Sequence, residues 1–348
     1  MIFKILLILC KYVYKIQQMN AVVVQDLEKR FLTPLPSKGS FAQRIKSYLF
    51  PQYQTLIAVD HISFTLKAGE RVAFIGPNGA GKSTTIKILT GIMQPSSGRV
   101  EVLGKTPGLD GNTLPYQIGV VFGQRSQLWY HLPVKETLSL LAAIYDIPTA
   151  IYQKRLQELA EKFEITHLLS KPVRQLSLGE RMRCEIVANF LHKPSVLFLD
   201  EPTIGLDITA KAIIRDLIRE QSKQEGTTIL LTSHDTDDIE MVCDRVIIID
   251  HGKMLLDDSL ENLKTQYIRK KVITVATETE SVVWQEPGTT VLEHSAHHLK
   301  IEIDLSRHTV DKIVAKMLAT LTVKDLTIEA PPLETIIHTL YAHNKAAK

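Results

Sequence analysis

Residues 76–83, with the sequence GPNGAGKS, constrain the fold of this chain more than any other stretch. They match the pattern G-x-x-x-x-G-K-[ST] at every position. The apolar run at residues 72–75 predicts a buried strand before the loop, and residues 84–89 predict the first turns of a helix after it. Because the pattern binds phosphate in this context of strand, loop and helix, the flanking segments favour a phosphate site over an ordinary glycine turn.

The residue types of this loop explain why it suits a polyphosphate. Glycines at positions 76, 79 and 81 let several backbone N–H groups point into one concavity, and the helix N-terminus adds a partial positive charge. Lys82 supplies a full positive charge for the β- and γ-phosphates, and the Ser83 hydroxyl is a suitable ligand for Mg²⁺. The predicted phosphate-binding residues are Gly76, Pro77, Asn78, Gly79, Ala80, Gly81, Lys82, Ser83 and Thr84.

Charge and cysteine content narrow the setting in which the chain works. The net charge of +3 is too small to indicate nucleic-acid binding, so we expect no nucleic-acid partner. The three cysteines, Cys10, Cys184 and Cys243, are scattered, have no metal-ligand spacing and imply no disulfide framework. A reducing, cytosolic setting is the simplest fit.

Residues 1–20 form an N-terminal extension that begins with an apolar run. Lys4 and Lys11 interrupt the run, which is shorter than the roughly 20 apolar residues that span a bilayer. No small-residue cleavage site of a signal peptide follows it. Two interpretations remain: a start codon assigned too early, with Met19 as the true start, which we favour, or an interfacial anchor helix.

Residues 21–253 have the pattern of one large domain. Residues 21–24 predict an edge strand, and residues 32–54 are interpreted as an insertion. Within the insertion, residues 41–49 predict a short basic amphipathic helix, which would dock on its own domain or, less favoured, contact a membrane or membrane partner. From residue 62 to 249, strands alternate with helices, which predicts a mostly parallel sheet covered on both faces.

Two further parts complete the predicted α/β architecture. Residues 133–171 are helical in pattern and belong to an inserted helical subdomain that we place at residues 125–176. Residues 254–348 predict a small C-terminal α+β accessory domain with no chemical motif. Its strands are predicted at residues 272–275, 299–303 and 321–328, and its helices at residues 309–318 and 333–343.

Two carboxylates end an apolar strand at residues 195–201. Ligands bind at the carboxyl ends of strands in open α/β sheets, so we expect Asp200 to hold Mg²⁺ through its water shell, beside Ser83. Glu201 leaves the strand in another direction and is the predicted catalytic base that polarises an attacking water. A solvated strand end is the alternative, but the apolar strand before the pair and Pro202 after it favour a functional role.

Two polar residues follow other strands of the same type. The amide of Gln124 has the reach for both a metal and a nucleophilic water, so the predicted Mg²⁺ ligands are Ser83, Gln124 and Asp200. His234 follows the apolar strand at residues 228–232 and is able to donate a hydrogen bond to a γ-phosphate oxygen. Gln124, Glu201 and His234 are therefore the predicted catalytic residues.

A second anion site is predicted at residues 176–180, LSLGE. Ser177 is a good helix N-cap, and Gly179 permits close approach of a ligand to the backbone. The long helix that begins here offers another N-terminus to an anion. Because one nucleotide already has its phosphate site at Lys82, a second site suggests a nucleotide held between two subunits.

These motifs, with Gly205-Leu206-Asp207 and in this order, resemble the ATP-binding subunit of an ABC transporter over about residues 21–253. The resemblance implies a P-loop NTPase fold, ATP and Mg²⁺ as cofactors, and a head-to-tail homodimer. Each ATP would contact Lys82 and Ser83 of one subunit and the Ser177, Gly179 and Glu180 loop of the other. Asp207 would cross the interface, and Tyr53 would stack on adenine.

A closer likeness is to the subunits of drug and polysaccharide exporters, such as daunorubicin-resistance ATPases. Residues 121–129 and 325–334 are similar to that branch, which implies an integral-membrane permease as partner and a place at the cytoplasmic face of the plasma membrane. We interpret Trp129 as part of the groove that receives the permease, with a core position as the alternative. A non-transport ABC ATPase acting on ribosomes or nucleic acid is the rival function, disfavoured because the chain has no long coiled coil or large basic patch.

Overall fold

The computed structural model describes residues 20–34, 53–110, 113–123, 125–267, 270–278, 284–305, 307–329 and 333–346. These residues form two compact units, and the division in the sequence lies between Asp257 and Asp258. The strands before and at this division are β1 (Asn20–Pro34), β2 (Tyr53–Lys67), β3 (Arg71–Ile75), β4 (Ser97–Val102), β5 (Ile118–Phe122), β6 (Val196–Asp200), β7 (Thr228–Thr232), β8 (Arg245–Asp250) and β9 (Lys253–Ser259).

A six-stranded sheet in the order β5-β6-β7-β3-β8-β9 forms the centre of the first unit. The pairs β5–β6, β6–β7, β7–β3 and β3–β8 are parallel, which confirms the mostly parallel sheet. In its register, Phe122 pairs with Asp200, and Asp200 pairs with Thr232. The carboxyl ends of three neighbouring strands therefore lie level with one another.

A three-stranded antiparallel sheet in the order β2-β1-β4 packs against the parallel sheet. Its strand β1 is central, because Val23 pairs with Thr65 on one side and with Glu101 on the other. The prediction of an edge strand at residues 21–24 was therefore wrong, since the partners come from segments that the local pattern does not reveal. The ends of the predicted insertion continue β1 and β2, and the predicted helix at residues 41–49 lies outside the described residues.

The core of the first unit lies between these two sheets. It includes the rings of Phe64 and Phe74, whose centroids are 5.6 Å apart. Helix α1 (Lys82–Leu89) contributes Ile86, Ile88 and Leu89 to the same core. This packing fixes the beginning of α1 at Lys82, within the glycine loop.

Five more α-helices lie in the described part of the first unit. Helices α2 (Val134–Ile144) and α3 (Thr149–Lys162) lie in the segment that was predicted to be helical. Helix α4 (Leu178–Phe190) begins within residues 176–180, which we call the signature loop. Helix α5 (Ile208–Glu225) follows β6, and α6 (Thr236–Val242) follows β7. Their order confirms the alternation of strands and helices.

The second unit is a four-stranded antiparallel sheet in the order β11-β12-β10-β13 with helices. Its core contains Ile273, Val275, Ile301, Ile313 and Met317. Its elements are α7 (Leu260–Tyr267), β10 (Lys270–Thr277), β11 (Thr289–Ser295), β12 (His298–Asp304), α8 (Val310–Thr320), β13 (Val323–Glu329) and α9 (Leu333–Ala346).

The sequence did not reveal three elements of the structure: β9, α7 and β11. Strand β11 is an almost wholly exposed edge strand, so its residues lack the alternation of apolar and polar side chains by which a half-buried strand is recognised. None of the helices within the described ranges combines the length and the apolar character that crossing a membrane requires. The predicted domain limits stay predictions.

The position of Leu230 in the sheet gives a test of this fold. Leu230 is fully buried in β7, whereas Leu109 is 70% exposed. We expect Leu230→Ala to lower the free energy of unfolding by about 2–5 kcal/mol, because it removes buried methyl groups and leaves a cavity. The matched control Leu109→Ala should change it by less than about 0.5 kcal/mol. Urea unfolding followed by circular dichroism measures both; equal effects would contradict the described core.

Candidate active site

The glycine loop joins β3 to α1 in a backbone conformation that only glycine adopts without strain. Gly79 and Gly81 have φ values of +81° and +107°, in the left-handed region. A Cβ atom on Gly81 would lie 2.4 Å from the carbonyl oxygen of Ala58, and one on Gly76 would lie 2.4 Å from that of Ile249. The loop is thus packed tightly against β2 and β8, as a rigid phosphate site requires.

Lys82 lies inside the loop and is only 6% exposed. Its ammonium group donates hydrogen bonds to the carbonyl oxygens of Gly76, at 2.7 Å, and Pro77, at 3.3 Å. Burial lowers the pKa of Lys82, and the negative charges of Glu201 and Asp200 oppose that shift. A buried cation beside grouped backbone amides is suited to an oligoanion.

Ser83 and Asp200 come together at the edge of the site. The Ser83 hydroxyl donates to Asp200 Oδ1 at 3.3 Å, and the Thr232 hydroxyl donates to the same oxygen at 2.7 Å. Hydroxyl and carboxylate oxygens are the ligands that Mg²⁺ prefers, with water completing its shell. The pair therefore fits the predicted magnesium site.

Glu201 has a strained backbone and contacts His234. Its φ of +56° is in the left-handed region, which costs a non-glycine residue about 1–3 kcal/mol and persists only where the surroundings fix it. The Glu201 amide donates to the carbonyl and hydroxyl oxygens of Thr232, at 3.0 and 3.1 Å. Glu201 Oε1 lies 2.9 Å from His234 Nε2, and that nitrogen lies 3.5 Å from Lys82 Nζ. Residues predicted from three separate motifs are thus in contact.

A cavity of about 330 Å³ opens at these strand ends. Its lining includes Ser83, Asp200 and Glu201 together with two neighbours of Gln124 in the sequence, Gly123 and Arg125. Gln124 itself lies outside the described residues. The Gly123 amide donates to the Asp200 carbonyl at 2.8 Å, so the residue directly before Gln124 is fixed to the strand end that bears the carboxylates.

The sequence did not identify Thr232 as a residue of the site. Thr232 is fully buried and holds both Asp200 and the Glu201 backbone through its hydroxyl group. The signal was present in its position at the end of an apolar strand, two residues before His234. Only the register of β6 and β7, however, places it opposite Asp200.

The signature loop begins α4 with a capping box. The Glu180 amide donates to Ser177 Oγ at 3.2 Å, and the Ser177 amide donates to Glu180 Oε2 at 2.8 Å. The hydrogen bond from the Ser177 backbone lowers the pKa of the Glu180 carboxyl group, against a partial burial that raises it. Ser177 is exposed, and a Cβ on Gly179 would approach Ala210 Cβ to 3.3 Å. The predicted N-cap at Ser177 is confirmed.

Asp207 and Tyr53 occupy different environments. Asp207 is the N-cap of α5, where its Oδ1 accepts from the Ala210 amide at 2.8 Å. Tyr53 begins β2 and is 58% exposed. The register of β1 and β2 shifts between the pairs Lys29–Val59 and Arg30–Ile57, so alternation along β2 does not assign Tyr53 to the face of Val59. The adenine contact of Tyr53 stays a prediction.

A glycine loop between a parallel strand and a helix, with a carboxylate at the end of β6, which β7 separates from β3, defines a P-loop nucleoside triphosphatase. The family model for ABC transporters matches residues 59–204. The linearmycin resistance ATP-binding protein LnrL of Bacillus subtilis (strain 168) is 32% identical over 286 residues, which cover 80% of this chain and 91% of that protein. The chain belongs to the family of ABC transporter ATP-binding proteins.

Other relatives agree with this assignment. The Nod factor export ATP-binding protein I of Ralstonia nicotianae is 33% identical, over 70% of this chain and 75% of that protein. Two solved structures are similar to this chain. One is an ATP-binding subunit of an ABC transporter, with a TM-score of 0.58 at 30% identity. The other is cbiO1 of Clostridium perfringens, a part of the ABC transporter complex cbiONQ, with a TM-score of 0.57 at 29% identity. They cover 71% of this chain and 93% and 91% of their own. The α/β P-loop fold and the likeness to drug-exporter ATPases are confirmed, and the chain is an ATP-binding ATPase.

The burial of Lys82 predicts a trade-off between stability and ATP binding. The pKa of Lys82 is lower in the folded state than in the unfolded chain. Between the folded and the unfolded pKa, the unfolded chain therefore binds more protons, and the folded state gains stability as the pH rises. Below the folded pKa, the buried charge lowers the free energy of unfolding. We expect Lys82→Met to be at least as stable as the wild type without nucleotide, whereas the stabilisation by ATP disappears.

Thermal unfolding with and without ATP measures both effects. Lys154→Met, at a side chain that is 82% exposed, is the matched control and should keep the ATP-dependent shift. The advantage of Lys82→Met should shrink as the pH rises through the lowered pKa of Lys82. A variant that ATP still stabilises as strongly as the wild type would contradict the role of Lys82.

Proposed function

We propose that this chain is the ATP-hydrolysing subunit of an ABC exporter and that it drives a separate membrane permease through ATP-dependent dimerisation. The observation that carries the proposal is that one unit has both a glycine loop around the buried Lys82 and a second capped helix N-terminus, that of α4, whose Ser177 is exposed. A site completed only by a second subunit links ATP binding to movement.

The roles within one subunit follow from the contacts of the loop. The amides of residues 76–84 and the Lys82 ammonium bind the phosphates of ATP. Ser83 and Asp200 would hold Mg²⁺, with Gln124 as the third protein ligand, and the ion would neutralise charge on the β- and γ-phosphates. Tyr53 would stack on adenine, for which its exposure of 58% at the start of β2 leaves the ring accessible.

Hydrolysis uses the pair of Glu201 and His234. A water oxygen forms a new bond to the γ-phosphorus, its proton passes to the Glu201 carboxylate, and the bond from the γ-phosphorus to ADP breaks with its electron pair leaving on ADP. His234 lies 2.9 Å from Glu201 Oε1, where it orients the carboxylate and donates a hydrogen bond towards the γ-phosphate.

The second subunit supplies Ser177, Gly179 and Glu180 to the γ-phosphate, and its Asp207 lies at the interface. The contacts of Glu180 and Asp207 support these roles of the second subunit. Both side chains take part in capping their own helices, and they thereby fix the loops that would face the partner. Closure of the dimer on ATP and its opening after hydrolysis would move the permease.

A permease contact is supported by the segment after Gln124. Trp129 and Tyr130 are 40% and 58% exposed, which argues against a core position. The Arg174 amide donates to the Tyr130 carbonyl at 3.0 Å, so the aromatic segment is bonded to the residues directly before the signature loop. Because the proposed partner is a membrane permease, we place the chain at the cytoplasmic face of the plasma membrane. We propose no nucleic-acid partner.

The role of Glu201 is tested by Glu201→Gln. We expect ATP binding to persist and turnover to fall by about 100-fold or more, because the amide does not accept the proton of the attacking water. The variant should accumulate as an ATP-bound dimer in size-exclusion chromatography. Glu158→Gln, at an exposed carboxylate of α3, is the matched control with normal turnover. Normal turnover in Glu201→Gln would remove Glu201 from the role of base.

The role of Trp129 is tested by Trp129→Ala. Basal ATP hydrolysis should stay within about twofold of the wild type, as expected for a surface substitution, whereas transport by the complex with the permease should be lost. Tyr116→Ala, at an aromatic residue that is 44% exposed, is the control that should keep both activities. Parallel loss of folding and basal hydrolysis in Trp129→Ala would instead identify a core residue.

A further inference from the structure

Asp238 is a buried carboxylate that bonds to three separate segments of the first unit. It lies on α6 and is only 1% exposed. Oδ2 accepts from the Thr203 hydroxyl and, at 2.5 Å, from the Ser233 hydroxyl. Oδ1 accepts from Arg215 Nε at 2.5 Å. A buried carboxylate with this many donors fixes the geometry of the groups around it.

The three donors lie next to the proposed catalytic groups. Thr203 is two residues after Glu201, and Ser233 directly precedes His234. Arg215 belongs to α5, the helix whose N-cap is Asp207. One side chain therefore connects the segment after the base, the segment before the histidine and the helix that begins at the proposed dimer interface.

The charges around Asp238 extend this network to the other side of His234. Arg215 is 6% exposed, and its Nη2 lies 2.9 Å from Asp235 Oδ2. Lys211 Nζ lies 2.7 Å from the same oxygen. Since Ser233 and Asp235 flank His234, the backbone of the histidine is held on both sides.

Glu201 needs such support because its backbone is in the left-handed region. The hydrogen bonds from its amide to Thr232 fix the residue from β7, and the bond between Thr203 and Asp238 fixes the chain two residues further on. A strained residue keeps its conformation only while its neighbours determine it. Glu201 Oε1 lies 2.9 Å from His234 Nε2, and the two attachments lie on either side of Glu201 in the chain and in the sheet.

We propose that Asp238, through Thr203, Ser233 and Arg215, is a positioning residue that keeps Glu201 and His234 in the geometry required for ATP hydrolysis. The inference rests on the proposed function, in which Glu201 is the base. Asp238 acts through other residues, so its loss should lower kcat while the affinity for ATP is kept. A small displacement of a base costs up to about 100-fold in rate.

The sharpest test compares Thr203→Val with Thr203→Ser. Valine has the shape of threonine without the hydroxyl group, whereas serine keeps the donor to Asp238. We expect Thr203→Val to lower kcat by about 10- to 100-fold with the dissociation constant of ATP unchanged. Thr203→Ser should restore kcat to within about threefold of the wild type, because its donor group is retained.

A second pair of variants removes the carboxylate itself. Asp238→Asn should lower kcat in the same way, because an amide cannot accept from three donors at once. Asp237→Asn is the matched control on the same helix, at a carboxylate that is 77% exposed and lies 3.6 Å from Arg215. Melting temperatures of all four variants identify any that fail to fold.

The outcomes separate this inference from the proposed function. Wild-type kcat in Thr203→Val, or an equal loss of kcat in Thr203→Val and Thr203→Ser, would overturn the inference. A fall in ATP affinity and melting temperature in parallel with kcat would also overturn it, since that marks a purely structural network. Glu201→Gln is measured alongside: retained turnover there overturns the proposed base instead. Adding Thr203→Val to Glu201→Gln should lower the remaining turnover little further, because both changes act on one group.

Discussion

The active site depends on the hydrogen-bond register of three parallel strands. Phe122, Asp200 and Thr232 are paired across β5, β6 and β7, so these three strands end at the same level, at the carboxyl end of the sheet. A slip of one residue in the register of β6 would move every side chain of that strand to the other face of the sheet. Asp200 would then be separated from Ser83 and Thr232. The register is in turn fixed by burial, because Leu197, Leu199 and Leu230 are fully buried.

At the carboxyl ends of these strands, the protein keeps a backbone conformation and a buried charge that lower the free energy of unfolding. Glu201 has a left-handed backbone, and Lys82 holds its charge in a buried loop. In the proposed function both features serve catalysis and ATP binding rather than stability, a conflict that is common at active sites. The hydroxyl groups of Thr203 and Thr232 and the buried pair of Arg215 and Asp238 offset the cost by fixing the surrounding segments.

A second network, of hydrogen bonds, links Val120 of β5 and Gln127 to α4. The Gln127 amide donates to Glu185 Oε1 at 3.0 Å, and the Val120 amide donates to Asn189 Oδ1 at 2.8 Å. Burial raises the pKa of Glu185, against the hydrogen bonds from Ser126 and Gln127. Residues on α4 thus hold the end of β5 and Gln127, and Ser177 is the N-cap of the same helix. The two networks together give the unit rigid connections among its functional loops.

The sequence by itself determined the glycine loop, the strand ends with their carboxylates, the signature N-cap and the alternation of strands and helices. These are local features: a positive φ, a cap or a periodic apolar pattern depends on residues close together in the chain. Only the tertiary structure decided that β1 is a central strand, that β11 exists, that Lys82 meets His234 across 152 positions, and that Thr203 meets Asp238 across 35. The physical reason is that pairings between distant segments are selected by the burial and hydrogen bonding of the whole sheet, which no short stretch of sequence contains.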